Sequence, residues 1–226
     1  MGIMSRVANQ VWDEASLPQP AADMDALGGA PVQHGPFPFF IVPGFVRSGA
    51  LEAIGADFPS IQHPGSFPLS SLSYGPAFAA FMAEIQGSAM TEAVGKKLNM
   101  DLAGHPTMVT VRGQSRAADG KIHTDSRTKL VTALLYMNDS WESARGRLRL
   151  VRAPDDLNAV IAEVPPERGT LLVFKNDPHA WHGFEPFSGP RRVIQLNWVT
   201  DASVVRREQA RHRLSAFFKR LGNRGA

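Results

Sequence analysis

The chain has no cysteine among its 226 residues. That excludes disulfides, thiolate metal sites and a cysteine nucleophile, and it fits a reducing compartment. No apolar run approaches the ~18 residues that a membrane span needs. The first thirteen residues hold no basic stretch followed by an apolar block, so no secretion signal is expected and a cytoplasmic location is. Charge is sparse as well, a formal net of +3, and it is unevenly placed. From Ser203 to Ala226 seven Arg and Lys face one acid, Glu208, so the tail carries +6 and the remainder −3. The basic character belongs to the tail, and nucleic acid is not the expected substrate. Hydrophobic content of 43% is ample for one core, so one large domain or one domain with appendages is expected.

Residues 1–35 are rich in Pro, Ala, Gly and Asp and read as a loose arm, with a short helix possible from Val7 to Leu17. Pro36 to Val46 reads as an entry strand and a turn at Pro43-Gly44. Ser48 to Phe58 has helical spacing behind a serine cap. Pro59 to Tyr74 is a Pro/Ser/Gly-rich loop, and Ala77 to Leu98 gives one or two amphipathic helices. From Thr107 the texture changes to short strands: Thr107–Val111, Lys129–Met137, Arg147–Arg152, Gly169–Phe174 and Val193–Val199. Arg112 to Gly120 reads as a polar loop, and Val164-Pro-Pro as a turn. Helices first and strands second predict an α+β order in which helices buttress a jelly roll. The expected organisation is an arm at 1–35, a domain at 36–200 (helical part 36–104, jelly roll 105–200) and a basic C-terminal helix at 201–226. That helix is expected to pack on the body or present a solvated face; docking on an anionic surface is the alternative.

Against this background one constellation stands out. His123 and Asp125 sit at i and i+2, His182 follows 57 residues after Asp125, and Arg191 follows His182 by nine. On a strand, i and i+2 share a face, so His123 and Asp125 can grip one ion together. His182 from a neighbouring strand completes two histidines and one carboxylate, the facial set associated with non-heme Fe(II) oxygenases. An arginine nearby offers a planar fork for a carboxylate. His179 competes with His182, but at i, i+3 the two do not share a strand face. Arg112 and Arg127 flank the His-x-Asp loop and either meet an anionic substrate or are solvated. His34, His63, His105 and His212 have no ligand context.

From about Pro36 to Trp198 the chain resembles the iron(II)- and 2-oxoglutarate-dependent dioxygenases, particularly the prolyl-hydroxylase-like branch. The matching pieces are His123-Thr-Asp125, Leu134-Leu-Tyr-Met-Asn138, Gly146-Arg-Leu-Arg-Leu150, Gly169-Thr-Leu-Leu-Val-Phe174, and Trp181-His182 with Arg191. Pro36-Phe-Pro-Phe-Phe and Asp57-Phe-Pro59 look like the N-terminal helical region of such enzymes. Two departures are Arg145-Gly146, where many relatives carry two glycines, and Val193, where relatives often carry a hydroxyl. The resemblance implies a helix-buttressed double-stranded β-helix. It implies Fe(II) on His123, Asp125 and His182, with 2-oxoglutarate and O2 as cosubstrates, and it implies hydroxylation of an unactivated C–H bond with release of succinate and CO2. Arg191 would hold the cosubstrate's 5-carboxylate, with Arg192 the competitor. Strand alternation then puts Val193, Gln195 and Asn197 on the Arg191 face, and Arg192, Ile194, Leu196 and Trp198 on the other. Gln195 and Asn197 are expected near cosubstrate or substrate, and Tyr136 either in the pocket wall or in the core. Asp125 favours hydroxylation, since related halogenases replace that carboxylate with a small residue. Loops 59–76 and 112–122 are the expected lids. The rival readings are a non-catalytic jelly-roll binding protein, a cupin-type metalloenzyme (disfavoured because no glutamate is suitably placed), and the same iron chemistry turned to nucleic-acid demethylation. Substrate (small molecule, glycan or protein side chain) and oligomeric state are not encoded in any motif.

Overall fold

The computed structural model describes residues 19–207, so the expected helix over Val7–Leu17 and most of the basic C-terminal helix lie outside the described residues. Among the described residues nine strands form two antiparallel sheets. The larger has the order β1-β7-β4-β9-β3-β2 and the smaller β6-β5-β8. The larger comprises β1 (Phe39–Val42), β2 (Phe67–Pro68), β3 (Thr107–Ser115), β4 (Lys129–Tyr136), β7 (Leu171–Lys175) and β9 (Gly189–Val199); the smaller comprises β5 (Leu148–Val151), β6 (Val160–Val164) and β8 (His182–Gly183). Four helices, α1 (Met24–Gly29), α2 (Ser48–Ala56), α3 (Pro76–Ile85) and α4 (Ser88–Leu98), precede most of the strands. Among the described residues no helix is long and apolar enough to cross a membrane.

The period-2 rule builds three layers from this chain. Val131, Ala133 and Leu135 of β4, Leu171 and Val173 of β7, and Ile194, Leu196 and Trp198 of β9 all face the helices. There they meet Leu27, Ile54, Phe78, Phe81, Met90 and Val94, and burial of each such side chain contributes about 1.5–3 kcal/mol. The intervening residues, Leu134, Tyr136, Leu172, Phe174 and Val193, face the small sheet and pack on Leu148, Leu150 and Val164. This is the expected α+β jelly roll with a helical buttress, and the alternation expected for β9 is the one observed.

Several local expectations differ from the structure. The α2 cap is Arg47 and makes no side-chain cap bond; Ser48 is the first helical residue. The segment 19–35 is no loose arm. Leu27 of α1 is fully buried, and Glu84 of α3 accepts from the backbone N–H of Ala21 and Ala22 at 3.0 and 2.8 Å. Loop 59–76 contains β2 and a 3-10 turn at Leu69–Ser71. The expected polar loop at Arg112 is strand for its first half, because β3 runs on to Ser115. Strand β6 lies in a stretch for which no element was expected and ends where the expected Val164-Pro-Pro turn begins. The backbone is helical over 202–207, at the start of the expected terminal helix.

Candidate active site

His123 and His182 are brought together by backbone pairing. They form an antiparallel bridge, with His123 N–H donating to His182 O at 3.0 Å and the reverse bond at 2.9 Å. The two imidazole centroids are 4.4 Å apart. Glycine at 183 is required here: a Cβ would come within 2.7 Å of Gly120 O and 3.1 Å of the Ile122 backbone, so only a glycine lets segment 120–122 run alongside β8. His123 is thus held by a single bridge rather than a full strand, and Asp125 lies in the loop that enters β4. Two β4 residues fix the Asp125 carboxylate. Lys129 Nζ donates to Oδ1 at 2.6 Å and Thr132 Oγ1 donates to Oδ2 at 2.5 Å. One donor atom from each of His123, Asp125 and His182 lies within 4.8 Å of the others.

The chemistry of this donor set fits a divalent metal. His182 Nδ1 lies 2.9 Å from Ala180 O, and His123 Nδ1 lies 2.9 Å from Lys121 O. Carbonyls only accept, so each ring carries its proton on Nδ1 and leaves the Nε2 lone pair free. Burial, with His123 as a second cause, pushes the His182 pKa down to about 4 against the opposing pull of Asp125, so the imidazole is neutral near pH 7. Burial pushes the Asp125 carboxyl up, but Lys129, His182 and the Thr132 hydroxyl together outweigh it and hold the group ionised, below its ordinary range.

The three groups open into a pocket of about 250 Å³. The neighbouring strands β9 and β3 line one wall together, with Arg191, Val193 and Gln195 beside Thr110 and Arg112, and Leu134, Leu148 and Phe184 supply apolar surface. Arg191 is buried at 4% exposure, with Nε donating to Gly146 O at 3.0 Å and the guanidinium 4.2 Å from the Phe184 ring centre. Burial lowers its pKa, yet no carboxylate pairs with it among the described residues. Tyr136 lies fully buried behind it, its ring centre 5.5 Å from the guanidinium, and its hydroxyl makes no hydrogen bond of standard geometry. Arg192 points away and covers Phe58. Asn138 accepts from the Arg192 backbone N–H at 2.7 Å and so pins the start of β9. Asn197 is buried and does not line the pocket; its Nδ2 donates to Thr132 Oγ1 at 2.7 Å, and its Oδ1 accepts from Gln195 at 3.2 Å. His179 is a surface residue paired with Asp177, and Arg127 is exposed. Lys129, Thr132, Thr110 and Ser66 were not singled out from sequence. Period-2 counting along β4 from Tyr136 through Leu134 reaches Thr132, and would have found it.

Residues 112–200 match the 2OG-Fe(II) oxygenase superfamily. No curated protein matches the chain. Among solved structures it is similar to a prolyl-4-hydroxylase from Pseudomonas putida, with TM-score 0.54 and 17% identity over 79% of this chain and 97% of that one. A prolyl 4-hydroxylase from Phytophthora capsici gives 0.51 and 17%, over 74% and 60%. HygX from Streptomyces hygroscopicus, with nickel and 2-oxoglutarate bound, gives 0.50 and 14%, over 73% and 82%. At these identities the likeness is one of fold.

Proposed function

We propose that this chain is a prolyl-hydroxylase-like oxygenase of the 2OG-Fe(II) superfamily, that it holds Fe(II) through His123, Asp125 and His182, and that it hydroxylates an unactivated C–H bond. The observation that carries this reading is the convergence of those three donors beside a buried arginine that no carboxylate partners among the described residues. When bound, Fe(II) and 2-oxoglutarate supply the oxidising power: O2 and 2-oxoglutarate become CO2 and succinate, and the second oxygen atom enters the substrate as hydroxyl.

The chain's own residues hold, orient and shield. Nδ1–H bonds to Lys121 O and Ala180 O keep both imidazoles turned with Nε2 toward the common centre. Thr132 and Lys129 hold the Asp125 carboxylate ionised and in place. Arg191 offers a buried fork to the 5-carboxylate of 2-oxoglutarate, with the Tyr136 hydroxyl beside it as a second donor. Gln195 faces the same space, and Asn197 acts on Asp125 through Thr132. Phe184, Leu134 and Leu148 limit water around the reacting centre.

Anaerobic calorimetry tests the proposal. One Fe(II) should bind per chain, and 2-oxoglutarate should bind tightly only afterwards. Asp125→Ala should abolish the first event, and Arg191→Ala should weaken only the second. Equal binding of 2-oxoglutarate with and without metal would refute it.

A further inference from the structure

Charge does not balance at the pocket mouth. The lining holds three cationic side chains, Arg112, Lys129 and Arg191, against the single carboxylate of Asp125. Asp119 stands behind Arg112 and adds a second acid. Histidines that bind a metal are neutral, and a divalent metal and the dianionic cosubstrate cancel one another. One cationic charge is left over in the loaded site.

Arg112 is the side chain built to receive that anion. It sits on β3 opposite Val193, facing the pocket alongside Thr110. Its guanidinium is fixed from two sides: one NH2 group donates to Asp119 at 2.6 Å and the other to Ser66 Oγ at 3.2 Å. Those two bonds use two of its five donors. Asp119 in turn is shared with Arg116, at 3.2 Å from Nε, so its charge is divided between two cations. Ser66 and Asp119 belong to the two loops that flank the pocket, and Arg112 is where they meet. A guanidinium held this way loses little freedom on binding a planar acid.

We infer that Arg112 receives a carboxylate of the prime substrate, which is therefore an acid: a free small-molecule acid, or a peptide bearing Asp or Glu. The inference rests on the oxygenase reading for the location of the reacting centre, and adds the substrate class.

The test is saturation-transfer NMR on the full chain loaded with Zn(II), a redox-inert stand-in, and 2-oxoglutarate. The probes are N-acetyl-proline, N-acetyl-leucine and N-acetyl-glutamine with their C-terminal amides, and a blocked tripeptide with central Glu or Gln. At least one acid should bind, its amide or Gln counterpart about tenfold more weakly. R112Q should bring the acid down to the level of its neutral counterpart while 2-oxoglutarate signals persist, which also shows that the variant is folded; R112K should retain part of the binding. Response to the N-acetyl acids identifies a free acid, and response to the Glu peptide alone a peptide side chain. Equal binding of acid and neutral probe, no acid bound, or unchanged acid binding in R112Q overturns the inference. So does loss of 2-oxoglutarate itself in R112Q, which would assign Arg112 to the cosubstrate. Failure of the oxygenase reading shows separately, as no succinate from the Fe(II)-loaded wild type, and leaves the NMR result standing.

Discussion

Thr132 Oγ1 donates to Asp125 Oδ2 at 2.5 Å and accepts from Asn197 Nδ2 at 2.7 Å, so a buried asparagine on β9 steers the carboxylate of the site through a hydroxyl on β4. A hydroxyl has one proton to give, and the Asn197 amide settles where it goes. Thr132→Val keeps the shape and removes the relay. Groups that orient metal ligands are each worth roughly 10- to 100-fold in metal affinity. Thr132→Val should weaken Fe(II) binding by about that factor in anaerobic calorimetry, and Thr132→Ser should restore most of it.

Lys129 presents a different balance. Its ammonium is 2.6 Å from Asp125 Oδ1, and the pair is largely withdrawn from water, at 18% and 6% side-chain exposure. Removing the cation leaves a buried carboxylate with Thr132 as its remaining partner. Lys129→Met should destabilise the metal-free protein by about 2 kcal/mol in urea denaturation at neutral pH. Saturating Fe(II) replaces the missing positive charge and should recover part of that loss.

Tyr136 separates stability from binding. Its buried hydroxyl has no hydrogen bond of standard geometry to lose. Tyr136→Phe should therefore change thermal stability by no more than about 1 kcal/mol. If the hydroxyl meets the cosubstrate carboxylate beside Arg191, the same variant should need roughly tenfold more 2-oxoglutarate. Unchanged affinity would leave Tyr136 as core alone.

Gly183 links backbone to chemistry. Gly183→Ala drives a methyl toward Gly120 O and the Ile122 backbone, at 2.7 and 3.1 Å. Segment 120–122 must move, and His123 is attached to it. The expected cost is about 1–3 kcal/mol in stability, with a loss of Fe(II) binding larger than Thr132→Val produces.

The site and the fold were unequally legible in the sequence. The His-x-Asp, His182 and Arg191 spacing was readable because ligand-type residues are rare, although His123 sits on a single bridge and Asp125 in a loop, so strand alternation is not what brings that pair together. Strands β4, β7 and β9 were readable because each lies mid-sheet and is buried on both faces or nearly so. Strand β6 was hidden, since VIAEV is an edge strand with a single fully buried residue and runs into two prolines. Helix α1 was hidden by its brevity and its terminal glycines, though Leu27 anchors it. The end of β3 was misread for a functional reason: its inward residues Thr110 and Arg112 face a polar pocket rather than a core, so hydrophobic alternation stops where the site begins. Lys129 and Thr132 escaped notice because their partner, Asp125, reaches them across a turn that no periodicity describes.

The most direct measurement is succinate formation from 2-oxoglutarate by anaerobically Fe(II)-loaded protein after admission of O2. It should be made in wild type and in His123→Ala, Asp125→Ala and Arg191→Ala. The account predicts slow turnover in wild type, none in the two ligand variants, and turnover in Arg191→Ala only at much higher 2-oxoglutarate. Turnover that survives Asp125→Ala, or a wild type that takes up Fe(II) and 2-oxoglutarate and forms no succinate, would contradict it.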